Sequence, residues 1–176
     1  MIIYSTKFKD LKVLKLKKFS DLRGNLIKIL DKKNKLLKFN CFESYVSYSN
    51  KGSVRGLHGQ KGKFSQSKII FCIKGKILDI AIDLRKNSKT YCKIFKKVIS
   101  SKNLLALHIP KGFAHGVIVL EKNTILLNIS STKYNPKKEF GININSINLK
   151  LPKFKLIFSK KDKKLQNLDQ FLKNKI

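Results

Sequence analysis

The chain has 176 residues, 42% of them apolar, and carries 40 Lys and Arg against 10 Asp and Glu, a formal charge of +30. That length is one domain's worth, with enough apolar side chains for a real core, which excludes a disordered chain and argues for a single domain over 1–176. The lysines are spread through every segment among abundant Asn and Ile, so the charge points to no specific nucleic-acid partner. No apolar run approaches the roughly 20 residues that span a bilayer, and Met1-Ile2-Ile3-Tyr4 is too short for a secretory signal. A cytoplasmic protein without a membrane partner is expected.

In chain order, residues 1 to 31 alternate basic and apolar positions around Phe19-Ser20-Asp21-Leu22-Arg23-Gly24, a pattern that predicts two short strands flanking a turn. A lysine-rich stretch from 32 precedes Phe42, Tyr45 and Tyr48, and Asn50-Lys51-Gly52 predicts a turn. The next strand carries Ser53-Val54-Arg55-Gly56-Leu57-His58-Gly59-Gln60. On a regular strand Arg55 and His58 face opposite sides, so serving one site requires a bulge, most easily at Gly56. From Lys68, the set Lys68, Ile70, Cys72 and Lys74 shares one face and Ile69, Phe71 and Ile73 the other. Gly75 turns the chain into a run where Asp79, Ala81, Asp83 and Arg85 alternate against Ile80, Ile82 and Leu84. Further strands are predicted over 89–99, 104–110, 114–121 and 123–131. Short strands at this spacing make the fold mainly β, an antiparallel sandwich or barrel. The segment 132–158 reads as loop and short strand, and Leu165, Leu168, Phe171 and Leu172 predict a short C-terminal helix.

Only three of the forty basic residues are arginine: Arg23, Arg55 and Arg85. Where lysine serves for any solvated charge, a retained guanidinium suggests a planar fork of donors for a diphosphate or a carboxylate. Cys41, Cys72 and Cys92 are odd in number and lack metal-ligand spacing, as expected of reduced thiols.

Arg55-Gly56-Leu57-His58-Gly59-Gln60 resembles the signature of the dTDP-4-dehydrorhamnose 3,5-epimerases, cupin-fold enzymes acting on nucleotide-linked 4-keto-6-deoxysugars. Similar segments follow in register: Asp21-Leu22-Arg23-Gly24, Ser65-Gln66-Ser67-Lys68, Ile80 to Arg85, Ile109-Pro110-Lys111-Gly112-Phe113-Ala114-His115-Gly116, Tyr134-Asn135-Pro136 and Ser159-Lys160-Lys161-Asp162. The resemblance implies a cupin-type jelly roll barrel, a homodimer with strands exchanged near Arg23, and an epimerase of surface-polysaccharide biosynthesis that uses no cofactor. It implies His58, Asp162 and Lys68 as catalytic residues, with Arg23, Arg55, Gln60, His115, Asn128 and Tyr134 binding the nucleotide-diphosphate sugar.

The chemistry suits those residue types. Carbons 3 and 5 of a 4-keto sugar are acidic because the carbanion delocalises onto the ketone oxygen, so epimerisation needs a base, an enolate stabiliser and a proton donor on the opposite face. An imidazole near pH 7 is the natural base, and a carboxylate on its other nitrogen stabilises the imidazolium formed. Ser159-x-x-Asp162 also reads as a helix capping box, and the two roles are compatible. His115 is expected to bond a carboxylate such as Asp79 or Asp83. One imidazole in His58-Gly59-Gln60, where a metal-binding cupin typically has His-x-His, argues against a metal site.

The resemblance breaks at three places. The family's usual proton donor is a tyrosine at the position of Asn128, and a carboxamide is no acid at neutral pH. Inversion at carbon 3, alone or together with carbon 5, is therefore the expectation. Lys28 and Glu43-Ser44-Tyr45 replace residues near the nucleotide, leaving TDP, GDP, CDP and UDP open, and the sugar is expected to be a 4-keto-6-deoxysugar or a 4-keto-heptose. A non-catalytic sugar-nucleotide-binding cupin and a 3,4-ketoisomerase are the alternatives.

Overall fold

The computed structural model describes residues 1–30 and 39–174. The strands are β1 (Ile2–Ser5), β2 (Lys12–Lys15), β3 (Lys18–Asp21), β4 (Gly24–Ile27), β5 (Glu43–Ser49), β6 (Val54–Gln60) and β7 (Lys68–Lys74). They continue with β8 (Lys76–Asp83), β9 (Ile94–Ser100), β10 (Leu105–Ile109), β11 (Phe113–Val119), β12 (Thr124–Ser130) and β13 (Glu139–Gly141), before helix α1 (Leu168–Lys173). Among the described residues one sheet runs β1-β2-β10-β7-β12-β5 and the other β13-β6-β11-β8-β9, while β3 and β4 pair as a separate hairpin. The order β5-β12-β7-β10 facing β6-β11-β8-β9 is that of a jelly roll, as the fold class requires.

Alternation along the strands builds three apolar layers. Ile70, Cys72, Ala81, Leu107 and Val119 fill the space between the sheets. On the outer face of the second sheet, Ile80, Ile82 and Leu84 pack against Ile142, Ile144 and Phe171 from the C-terminal segment. On the outer face of the first, Ile69 and Phe71 pack with Leu14, Leu16 and Ala106 and are flanked by Met1, Ile3, Ile27 and Phe39. Both faces of β7 and β8 are therefore buried. Each fully buried aliphatic side chain contributes about 1.5–3 kcal/mol relative to exposure.

Three elements differ from the periodicity reading. The N-terminal region makes four strands instead of two, because a tight turn separates β1 from β2 without Gly or Pro: the Phe8 N–H donates to Thr6 Oγ1 and Asp10 adopts φ +65°. The strand expected over 89–99 starts at Ile94, because Ser88 and Thr90 are held in a turn by their hydroxyls, which donate to the Asp83 carboxylate. Leu165 ends a short 3-10 turn over Asp162–Lys164 and lies outside α1. The lysine-rich stretch from 32 lies mostly outside the described residues.

The feature that places the site is a bulge in β6. His115 faces His58 and Val117 faces Arg55 across the β11–β6 ladder, so three steps on β6 match two on β11. Gly56 supplies the extra residue at φ +106°, where a Cβ would sit 2.6 Å from the His115 carbonyl oxygen. The bulge turns Arg55 and His58 into the same space.

Candidate active site

A cavity of about 470 Å³ opens between the sheets. Tyr45 and Ser47 of β5, Lys68 of β7 and Asn128 of β12 line one wall; Arg55 and His58 of β6 and His115 of β11 line the facing wall. Residues 157–159, 161 and 162 close one side.

His58 Nε2 lies 2.7 Å from Asp162 Oδ1, and neither buried atom has a regular hydrogen bond to any other described residue. The Ser159 hydroxyl accepts from the Asp162 N–H at 3.0 Å. Serine thus supplies its half of a cap while the carboxylate turns to the imidazole, reconciling the two readings of Ser159-x-x-Asp162. Glu139 Oε1 stands 3.6 Å from His58 Nδ1. Burial pushes the imidazole's pKa down, and the charges of Asp162 and Glu139 pull it up less strongly, so it stays below the ordinary 6.5. His58 is therefore mostly neutral at pH 7, the form that can take a proton.

Cations line the same cavity. Burial lowers the Lys68 pKa, opposed by Glu139 and Glu43. Arg55 Nε donates to Ser49 Oγ at 3.0 Å and Nη2 to the Tyr48 carbonyl at 3.0 Å, which fixes the guanidinium while leaving donors over. Glu139 also pairs with Lys161 and accepts from the Tyr134 hydroxyl at 3.0 Å. Burial raises the pKa of Glu139, but Lys161, His58 and Tyr134 outweigh it and hold the carboxylate ionised. Deeper in, His115 Nε2 lies 3.0 and 3.1 Å from the two oxygens of Asp79, which is fully buried.

This geometry meets a family match over residues 5–170, to the model described as dTDP-4-dehydrorhamnose 3,5-epimerase. The chain belongs to that family. The dTDP-4-dehydrorhamnose 3,5-epimerase of Escherichia coli strain K12 is 31% identical over 190 residues, covering 100% of this chain and 99% of the relative. A Bacillus anthracis dTDP-4-dehydrorhamnose 3,5-epimerase structure with TDP and pyrophosphate bound is 33% identical, with TM-score 0.90 over 95% of this chain and 99% of that one. A Legionella pneumophila dTDP-6-deoxy-D-glucose-3,5-epimerase in complex with dTDP-4-keto-L-rhamnose is 28% identical, with TM-score 0.88 over 96% and 93%. The fold is that of these cupin-type epimerases, and the chain is an isomerase of the nucleotide-sugar epimerase class.

Six of the residues singled out in this epimerase's sequence line the one cavity: His58, Asp162, Lys68, Arg55, His115 and Asn128. Three do not. Gln60, expected at the substrate, is a backbone clamp: its Nε2 donates to the Phe64 and Lys133 carbonyls and its Oε1 accepts from Asn135 N–H. Tyr134 spends its hydroxyl on Glu139, at the rim. Arg23 sits on the β3–β4 hairpin, its exposed guanidinium paired with Asp21 at 2.7 Å. The third arginine, Arg85, also serves a carboxylate: it is bidentate to Asp83 at 2.8 and 2.7 Å.

Glu139 and Lys161 escaped the sequence reading. The scarcity argument applied to three arginines applies equally to ten acids, and that signal marks Glu139. Its position beside His58 depends on β13 pairing with β6, Glu139 opposite Gln60 and Gly141 opposite His58, a contact between distant segments that local pattern does not encode. Among the described residues no group of three or more His, Cys, Asp or Glu side chains is placed to hold a metal ion.

Proposed function

We propose that this protein is a cofactor-independent epimerase of a dTDP-linked 4-keto-6-deoxysugar, acting in the cytoplasm in the synthesis of surface polysaccharide, with His58 as the base. The observation that carries the reading is the His58–Asp162 contact at 2.7 Å at the edge of a cavity whose facing wall holds Lys68. With Nε2 held by Asp162, Nδ1 takes the proton from the carbon beside the ketone. Asp162 and Glu139 stabilise the imidazolium that results, and the Lys68 ammonium stabilises the enolate oxygen, an electrostatic contribution strengthened by burial. Arg55, His115 and Asn128 hold the sugar and diphosphate. The family match favours thymidine over the other bases.

Arg23 reaches a nucleotide only from a second copy in this reading. The β3–β4 hairpin presents Phe19, Leu22 and Leu26 exposed beside Arg23, which suits a homodimer in which one hairpin covers its partner's site. Light scattering on the purified protein should give twice the chain mass.

The carboxamide at 128 supports inversion at carbon 3, with slow or no inversion at carbon 5. Incubation with dTDP-4-keto-6-deoxyglucose and NMR of the product tests this. Inversion at carbon 3 is expected; efficient inversion at both carbons contradicts the narrower reaction, and a carbonyl moved to carbon 3 contradicts epimerisation itself.

A further inference from the structure

An epimerase must deliver a proton to the face of the ring opposite its base, and the site described so far has no residue for that step. His58 stands on β6, in one sheet, and the wall facing it belongs to the other. A flat enolate held between the sheets with one face toward His58 presents its other face to β5, β12 and β7. On that wall Lys68 is committed to the enolate oxygen, where surrendering its proton would remove the charge that stabilises the anion. Asn128 is no acid.

Directly across the β12–β5 ladder from Asn128 stands Tyr45. It is the only phenol lining the cavity among the described residues. Alternation puts Tyr45 and Ser47 on the same face of β5, toward the sheet opposite, and the buried Ser47 hydroxyl has no partner among the described residues. This stretch of wall is therefore polar surface with hydrogen-bonding capacity unspent. Tyr134 differs, since its hydroxyl is already given to Glu139.

We propose that Tyr45 is the catalytic acid of this enzyme, its phenol having taken up across the β5–β12 ladder the task that a carboxamide at 128 cannot perform. The proposal rests on His58 being the base. The step balances without a co-reactant: the C–H bond on the His58 face breaks, its proton goes to the imidazole and its electron pair to the enolate. A new C–H bond then forms on the opposite face with the Tyr45 proton, and solvent returns one to the phenolate and removes one from the imidazolium. Tyr45 keeps 46% of its surface exposed, and partial desolvation with the charge of Glu43 moves its pKa upward from 10.0 despite Arg55, so the phenol is protonated and available at neutral pH.

The test is Tyr45→Phe in deuterated water with dTDP-4-keto-6-deoxyglucose, reading two quantities separately. Removing a general acid should slow formation of the inverted product by about 100-fold or more, while deuterium still enters the unreacted substrate at a rate within about threefold of wild type, because His58 still removes and returns a proton on its own face. Adding Asn128→Tyr to the Tyr45→Phe enzyme, which restores a phenol to the same wall, should recover inversion. Tyr45→Phe enzyme that inverts at the wild-type rate overturns the proposal and leaves His58 as the base. Parallel loss of exchange and inversion also overturns it, as Tyr45 would then serve only binding or folding. Wild-type enzyme that exchanges no deuterium at all defeats the underlying reading of His58 as well.

Discussion

Two histidine–carboxylate pairs stand on neighbouring strands of one sheet, with His58 and His115 directly opposite each other in the β6–β11 ladder, yet their surroundings separate their roles. His58 keeps 24% of its side chain exposed to the cavity, and its partner Asp162 comes from a loop more than a hundred residues away. His115 is 9% exposed, and Asp79 on the adjoining strand β8 is completely buried and shares both oxygens with it. The same two functional groups thus differ in setting: His58 keeps a quarter of its side chain open, whereas His115, which also lines the cavity, is nearly covered and meets both oxygens of its carboxylate. In the proposed reading, burial and the number of bonds made, more than residue type, make His58 the base and His115 a residue that braces the wall and meets the substrate.

The sharpest break between the pairs should come from replacing each imidazole in turn. His58→Asn should lower kcat by about 10³-fold, within the range for loss of a general base, with little change in melting temperature. His115→Asn should instead raise KM and lower the melting temperature, with kcat within about tenfold of wild type by the same reasoning. Equal losses of kcat from the two would erase the distinction.

The carboxylates sharpen it. Asp162→Asn should cost about 10²-fold in kcat/KM and move the acid limb of its pH profile further below 6.5, because Asp162 is one of the charges holding the His58 pKa up. An unmoved limb would mean that Asp162 does not act on His58. Asp79→Asn should leave that limb in place and destabilise the fold by about 3 kcal/mol, as expected when one member of a buried pair is removed. Thermal or urea unfolding measures the second effect.

Smaller effects lie outside the site. Burial pushes the Asp83 carboxyl up, but bonds from Arg85, Ser88 and Thr90 more than reverse this and hold it at about 2. That contribution to stability is present above 3.8 and is lost as pH falls toward 2. Arg85→Lys should remove the bidentate contact and the guanidinium's position 4.7 Å over the Phe113 ring, costing about 1–3 kcal/mol without altering kcat. His58 and His108 are both held below 6.5 by burial, so stability from these groups is full above 6.5 and declines as pH falls below it, where the unfolded chain binds protons the folded chain refuses. Urea midpoints between pH 7 and 5 follow this decline.

Much of this was legible in the residues. Strands β7 and β8 were evident because residues 69–73 and 77–82 are short, β-rich, mostly apolar runs separated by Gly75, and the need for a bulge followed from Arg55 and His58 lying three apart. What local pattern could not supply were features made by distant segments. The turn at Thr6–Asp10 uses a hydroxyl and a left-handed aspartate in place of glycine. Gln60 looked like a ligand group because it stood two residues from His58, but the loops at 64 and 133–135 claim its amide. Glu139 and Tyr45 gained their places from strand pairing alone: one from β13 against β6, the other from β5 against β12.

The central claim is that His58, steered by Asp162, removes the proton beside the sugar ketone. Wild-type and His58→Asn proteins incubated in deuterated water with dTDP-4-keto-6-deoxyglucose test it most directly, by NMR of the label at carbons 3 and 5. Rapid labelling by the wild type that disappears in the variant is the predicted result; labelling that continues at the wild-type rate without His58 would contradict the account.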